Sequence, residues 1–242
     1  MTIIGHRGAR FEAPENTIPG FHYAIDLGLS AVEFDIRMTS DNQLVIIHDA
    51  TVDRTTNGEG PVSSLTLADI QALDARAAFP DWPEPCIVPT FGEVLDVVEI
   101  LPELFIEIKG DTPERLDQIV PAAIAEILGR DIVDRVTLTS FDPYALELVQ
   151  RLAPQIRRGY IGAWDSQEYL DTAVRLGAAQ ADANHTSADR GIIAKVHSLG
   201  MRVVGWPTNS QEDLDSVLTL EPNHICTDSP TRINELYVAA LK

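Results

Sequence analysis

The sequence predicts an α/β fold, a closed (β/α)₈ barrel with a small insertion after the second strand. Three observations predict it. From residue 104 onward, short apolar runs alternate with amphipathic segments, the pattern of a parallel sheet. Eight barrel strands can be counted, starting near residues 3, 31, 104, 135, 158, 179, 202 and 224, in a chain of 242 residues, a length that suits eight βα units. No glycine-rich phosphate loop follows the first strand, which disfavours an open doubly wound sheet.

In chain order, Thr2–Gly5 reads as a short buried strand. Asn16 is placed to cap a helix running to about Leu27, with Pro19 in its first turn and Gly28 as its stop. Ala31–Arg37 is the second strand, where Glu33 and Asp35 alternate with Val32, Phe34 and Ile36. Residues two apart share a strand face, so both carboxylates point the same way. Leu44–His48 is a further strand, followed by Asp49. Only Met38 to Gln43 separate it from the second, too few for a parallel crossover, so the pair forms an antiparallel hairpin. A turn centred between Ser40 and Asp41 would set Glu33 opposite His48. Ala50–Pro89 has weak periodicity, with only Leu67–Leu73 helical, and reads as an inserted subdomain (about residues 50–89) in a single domain spanning 1–242.

Thr90 and Glu93 form a capping box that opens a helix over Phe91–Ile100. Regular units follow: strand Leu104–Lys109 and helix Pro113–Leu128, strand Arg135–Ser140 and helix Pro143–Leu152, strand Arg158–Gly162 and helix Gln167–Leu176. Then come strand Ala179–Asn184 and helix Ala188–Leu199, strand Arg202–Trp206 and helix Gln211–Leu220, and strand His224–Thr227 with helix Pro230–Leu241.

The chain is 45% hydrophobic and carries a net charge of −19 from 37 acidic and 18 basic residues. That balance disfavours nucleic acid and anionic membranes, and an anionic substrate would need a local cluster of cations. Cys86 and Cys226 lack metal-ligand spacing and are expected to be free thiols. No apolar run reaches membrane-spanning length, and no basic region precedes an apolar stretch at the N-terminus. The expectation is a cytoplasmic protein with no stable membrane association.

In a (β/α)₈ barrel, function sits at the carboxyl ends of the strands. Glu33, Asp35 and Glu107 come from adjacent barrel strands, and three carboxylates together suit a hard cation, Mg²⁺ or Ca²⁺, over zinc. Structural acids paired with Arg37 or Lys109 are the alternative. His6 and His48 are a candidate general base and acid near neutral pH. Arg7 and Lys109 are the cations a phosphate would need. Glu15 and Asn16 can orient His6 or Arg7, or Asn16 can be only a helix cap. Trp206 and Phe141 are either pocket wall or core. His22, His197 and His224 read as structural, and His185 is unassigned. No serine or cysteine sits in a convincing triad or nucleophile elbow.

His6-Arg7-Gly8, Pro14-Glu15-Asn16-Thr17, Glu33-x-Asp35, His48-Asp49, Asp53-Arg54-Thr55-Thr56-x-Gly58, Leu65-Thr66, Pro89-Thr90, Glu93-Val94-Leu95, Glu107-x-Lys109, Ser140-Phe141 and Thr227-Asp228 resemble, in this order and nearly end to end, the glycerophosphodiester phosphodiesterase family. The resemblance implies a TIM barrel related to phosphoinositide phospholipases C. It implies His6 and His48 as acid and base, Arg7 and Lys109 on the phosphate, and Glu33, Asp35 and Glu107 on a divalent metal. The implied substrate is a small glycerophosphodiester such as glycerophosphocholine or glycerophosphoethanolamine, cleaved to sn-glycerol 3-phosphate and an alcohol. Two departures lie near the presumed alcohol pocket. Trp206-Pro207-Thr208-Asn209 stands where the family often has Trp-Thr-Val-Asn, and Arg76-Ala77-Ala78-Phe79 continues where a glycine is usual. Lysophospholipase D-like action on larger lipid diesters and a non-catalytic phosphodiester-binding barrel are the competing readings.

Overall fold

The computed structural model describes residues 1–240. The elements run β1 Thr2–His6, α1 Ile18–Asp26, β2 Ala31–Met38, β3 Leu44–Ile46, α2 Leu67–Gln71, α3 Phe91–Val98, β4 Glu103–Ile108 and α4 Pro113–Gly129. They continue with β5 Val136–Ser140, α5 Pro143–Leu152, β6 Arg157–Gly162, α6 Gln167–Arg175, β7 Gln180–Asn184, α7 Arg190–Ser198, β8 Arg202–Trp206, α8 Gln211–Leu218, β9 His224–Thr227 and α9 Pro230–Ala240.

Strand β1 pairs in parallel with both β2 and β9, and that double pairing closes the sheet into the expected eight-stranded parallel barrel. Strand β3 lies outside the ring, antiparallel to β2. The main core lies between strands and helices. Phe34, Ile36, Ile106, Ile108 and Leu138 face outward and pack with Ile119, Val120 and Val149. The barrel interior holds a smaller apolar group, Ile4, Ala31, Phe105, Val204 and Cys226, so polar side chains can line its upper end. Residues 50–89 send Val52, Val62, Ile70 and Val88 into one cluster with Val45 and Ile47, so the segment packs onto the hairpin. Cys86 and Cys226 are free and buried.

The hairpin register differs from the expectation by one residue. Ile36 faces Ile46, Arg37 faces Val45 and Met38 faces Leu44, so the turn centres on Asp41. Thr39 Oγ1 accepts from Gln43 N and donates to Asp41 Oδ1, and Asn42 takes the left-handed conformation at φ 62°. These turn contacts set the register, and the apolar alternation alone does not. The strand ends at Ile46, with one further bond from Ile47 N to the Asp35 carbonyl at 3.1 Å, and in this register Glu33 does not face His48. His48 is instead fixed by its carbonyl, which accepts from Arg37 Nε at 2.8 Å.

The cap of α1 is also a correction. Thr17, not Asn16, is the N-cap, its Oγ1 accepting from Gly20 N at 3.1 Å. Asn16 is left-handed (φ 55°) and its side chain is engaged elsewhere. Thr17→Ala is therefore expected to lower stability by about 1 kcal/mol, read from the urea midpoint at constant slope. An unchanged midpoint would contradict the cap.

The Thr90–Glu93 box is formed as expected. Helix α4 runs through Gly129, one residue past the expected end at Leu128, with the chain reversing at left-handed Asp131 (φ 58°).

Candidate active site

Barrel closure sets His6 beside Glu33, and the β2–β4 register sets Asp35 beside Glu107. One oxygen from each of Glu33, Asp35 and Glu107 lies within 4.8 Å of the other two. All three carboxylates are buried, and Asp35 is fully so. Burial, then repulsion from Asp35 and Glu107, holds Glu33 well above the usual carboxyl range. Burial and Asp35 push Glu107 up to about 7. Burial would raise Asp35 too, but Lys109 and Arg7 outweigh it and hold that carboxyl far down. Asp35 Oδ1 is buried without a hydrogen-bond partner, its nearest cation being Lys109 Nζ at 3.4 Å. Three oxygen donors, partly uncompensated and converging, fit a hard divalent cation.

Two fixed cations flank the acids. Lys109 Nζ sits 2.7 Å from Glu107 Oε1. Arg7 reaches Glu15 Oε1 with NH1 at 2.9 Å and Asp35 Oδ2 with Nε at 3.4 Å, and its backbone N–H donates to Glu33 Oε2 at 3.2 Å. A tight turn presents Arg7 in this way: its own φ is 53°, and a Cβ at Gly5 would come within 2.0 Å of Gly8 O. Asn16 Nδ2 donates to Asp35 Oδ2 at 2.9 Å, so its side chain orients a carboxylate, while its backbone N–H donates to the Arg7 carbonyl at 3.1 Å and makes no bond to His6.

Each histidine leans on a carboxylate. His6 Nδ1 lies 2.5 Å from Asp228 Oδ1, and His48 Nδ1 lies 2.6 Å from Asp49 Oδ1. With Nδ1–H donating to the carboxylate, each ring keeps its Nε2 free as an acceptor. His6 Nε2 is 3.7 Å from Glu33 Oε2. Burial, opposed by the Asp228 bond, lowers the His6 pKa, and burial, opposed by Asp35, lowers that of His48.

The carboxylates are themselves held. Asn209 Nδ2 donates to Asp228 Oδ2 at 2.8 Å and Arg10 Nε approaches Oδ1 at 3.2 Å. Arg54 bonds both oxygens of Asp49 and both oxygens of Glu15, tying the His48 side of the mouth to the Arg7 side.

His6, Arg7, Glu33, His48 and Glu107 open onto one cavity of about 230 Å³. Phe141 and Trp206 form its opposite wall, edge to face with ring centroids 6.0 Å apart. His185 is not among its lining residues and bonds Ser216 Oγ through Nδ1. His224 pairs with Glu103 at the first residue of its strand, and His197 bonds the Leu220 carbonyl. The sequence reading leaves Asp228, Asp49, Arg54 and Asn209 without roles. The motifs His48-Asp49, Asp53-Arg54 and Thr227-Asp228, and the Trp206–Asn209 segment, mark their positions without saying what they hold.

The profile of the glycerophosphoryl diester phosphodiesterase family matches residues 6–232. The chain belongs to that family. A glycerophosphodiester phosphodiesterase of Caldanaerobacter subterraneus subsp. tengcongensis is 33% identical over 236 residues, covering 96% of each chain. A crystal structure of a glycerophosphodiester phosphodiesterase from Agrobacterium tumefaciens superposes with TM-score 0.81 at 28% identity, over 99% of this chain and 100% of the other. An Oleispira antarctica phosphodiesterase, solved with the product sn-glycerol-3-phosphate, shares the fold at TM-score 0.89 and 24% identity, over 98% and 96% of the two chains. This member of the family is thus an enzyme, a glycerophosphodiester phosphodiesterase. Among its described residues, no helix is long and apolar enough to cross a membrane.

Proposed function

We propose that the enzyme hydrolyses small glycerophosphodiesters, such as glycerophosphocholine and glycerophosphoethanolamine, to sn-glycerol 3-phosphate and the free alcohol. The observation that carries this reading is one cavity lined by Glu33, Glu107, Arg7 and two carboxylate-backed histidines, with Asp35 and Lys109 packed against those acids and Arg7. The Oleispira protein was crystallised with the same phosphate product. Mg²⁺ or Ca²⁺, held by Glu33, Asp35 and Glu107, would when bound neutralise charge on the phosphoryl oxygens as a Lewis acid.

The chain's own residues account for the remaining steps. Arg7 and Lys109 hold the phosphate and take up charge as it grows in the transition state. One histidine Nε2 removes the proton from the nucleophile, which is water or the glycerol 2-hydroxyl. The other delivers a proton to the departing alkoxide oxygen, so the alcohol leaves neutral. Asp228 and Asp49 hold the two rings in the required tautomer. Phe141 and Trp206 shield the alcohol arm from water. Residues 50–89, as a subdomain of the single domain 1–242, flank the His48 side of the mouth. The proposed compartment is the cytoplasm, which suits two free, buried thiols.

Treatment with EDTA is expected to abolish turnover, and add-back of Mg²⁺ or Ca²⁺ to restore it, assayed by release of sn-glycerol 3-phosphate. Full activity in EDTA would refute the cation requirement. Activity on lysophosphatidylcholine exceeding that on glycerophosphocholine would favour the larger-lipid reading.

A further inference from the structure

Deep in the cavity, beyond the residues that face the phosphate, lies one carboxyl that the reaction does not use. Asp182, on β7, lines the cavity floor and is 6% exposed. Its Oδ1 accepts from Gln180 Nε2 at 2.7 Å, and its Oδ2 has no hydrogen-bond partner among the described residues. That oxygen is not among the fully buried atoms left unpartnered, so it opens to the cavity and is free to meet a donor there. Room for it is made by Gly159 on the neighbouring strand, where a Cβ would stand 3.0 Å from Asp182 Oδ2 and 3.1 Å from Gln180 Nε2. Burial, opposed by the Gln180 bond, raises this carboxyl to about 7, and a cation beside it would favour the ionised form.

The surroundings narrow the choice of ligand. The floor beside Asp182 is largely apolar, formed by Ile4, Phe105, Ile161, Val204 and Cys226, with Thr139 as the one hydroxyl and the Trp206 ring above. A polyol there would find only Asp182 and Thr139 as side-chain partners and leave its other hydroxyls against hydrocarbon. A short alkyl arm with one donor at its tip would not. The phosphate cations and the carboxylate cluster occupy the β1, β2 and β4 side, so an arm entering the β6–β8 side reaches Asp182.

We propose that Asp182 is a specificity-determining residue that binds the primary ammonium of a short alkylammonium arm, such as ethanolamine, on the departing-alcohol side of the diester. The assignment rests on the phosphodiesterase reading above and names its preferred substrate class. A quaternary ammonium has no N–H to donate, and an uncharged ethyl arm has neither donor nor charge.

The test compares kcat/KM of the metal-supplemented enzyme on glycerophosphoethanolamine, its deamino ethyl analogue and glycerophosphocholine. Glycerophosphoethanolamine is expected to exceed the ethyl analogue by about tenfold or more, the scale of one charge-assisted hydrogen bond. In Asp182→Leu, and in the isosteric Asp182→Asn that guards against misfolding, the ratio is expected to fall toward one. Equal values on the first two substrates with wild type, or an unchanged ratio in Asp182→Asn, would overturn the proposal. A uniform loss on all three substrates with the ratio preserved would place Asp182 on the glycerol half and overturn it as well. If wild type hydrolyses none of the three, the phosphodiesterase reading fails, and the inference built on it fails with it.

Discussion

His6→Ala and His48→Ala are each expected to lower kcat on glycerophosphodiesters by about 10²–10⁴-fold, the range for loss of one acid–base group. Both rings are partly exposed at the mouth (side chains 24% and 32% exposed), so neither deletion opens the hydrophobic core. The far-UV spectrum and unfolding midpoint should therefore stay near wild type. Both rings have lowered pKa values, chiefly through burial, and are neutral in the free enzyme at pH 7. A neutral ring is ready to act as the base. The acid must gain its proton in the complex, where the substrate's phosphate adds negative charge. Activity should accordingly fall on the acid side, with that limb below the ordinary histidine value of 6.5. The two losses should combine less than additively, because the rings act in one proton-transfer sequence in the proposed mechanism. Steady-state kinetics across pH on the two single variants and the double variant checks all of this, and near-wild-type turnover in either single variant removes that ring from the mechanism.

The sequence exposes the proposed ligating and proton-transferring residues better than the residues that hold them. Glu33, Asp35 and Glu107 are visible because strand alternation is local: two residues apart means one face. His6 and Asp228 are 222 positions apart and meet only because β9 closes the barrel onto β1. No spacing rule reaches across that distance. Asp182 lies in the alanine-containing strand Gln180–Asn184, where nothing local separates a cavity acid from a structural one. The hairpin slipped by one residue because side-chain bonds from Thr39, rather than the alternation, fix its turn. Asn16 has the composition of a helix cap, but Asp35, a neighbour in space and not in sequence, takes its side chain. The barrel itself is legible because each βα unit is locally consistent, so boundary errors of a residue or two do not change the strand count.

Glu33→Gln should move activity and stability in opposite directions. Loss of one anionic oxygen from the proposed cation site removes several kcal/mol of transition-state charge stabilisation, a fall of about a thousandfold in kcat/KM. In metal-free protein the same change should stabilise. Burial first, then Asp35 and Glu107, raises the folded-state Glu33 above its ordinary value of 4.5. Between those two values the unfolded chain gives up its proton more readily than the folded one, so stability present below pH 4.5 is lost as pH rises through the folded value. Glutamine has no such proton and can still accept from Arg7 N, which lies 3.2 Å from Glu33 Oε2 in the parent. In EDTA the variant should therefore melt with wild type below pH 4.5 and above it at pH about 8. Added Mg²⁺ or Ca²⁺ should invert the order, because a ligand that binds only the folded state stabilises in proportion to its affinity and the variant binds it more weakly. Thermal melts at the two pH values, with and without the cation, separate the outcomes. A variant less stable than wild type in EDTA at the higher pH would show that Glu33 is a structural ion-pair member. An equal cation-induced shift in both proteins would show that Glu33 does not touch the cation.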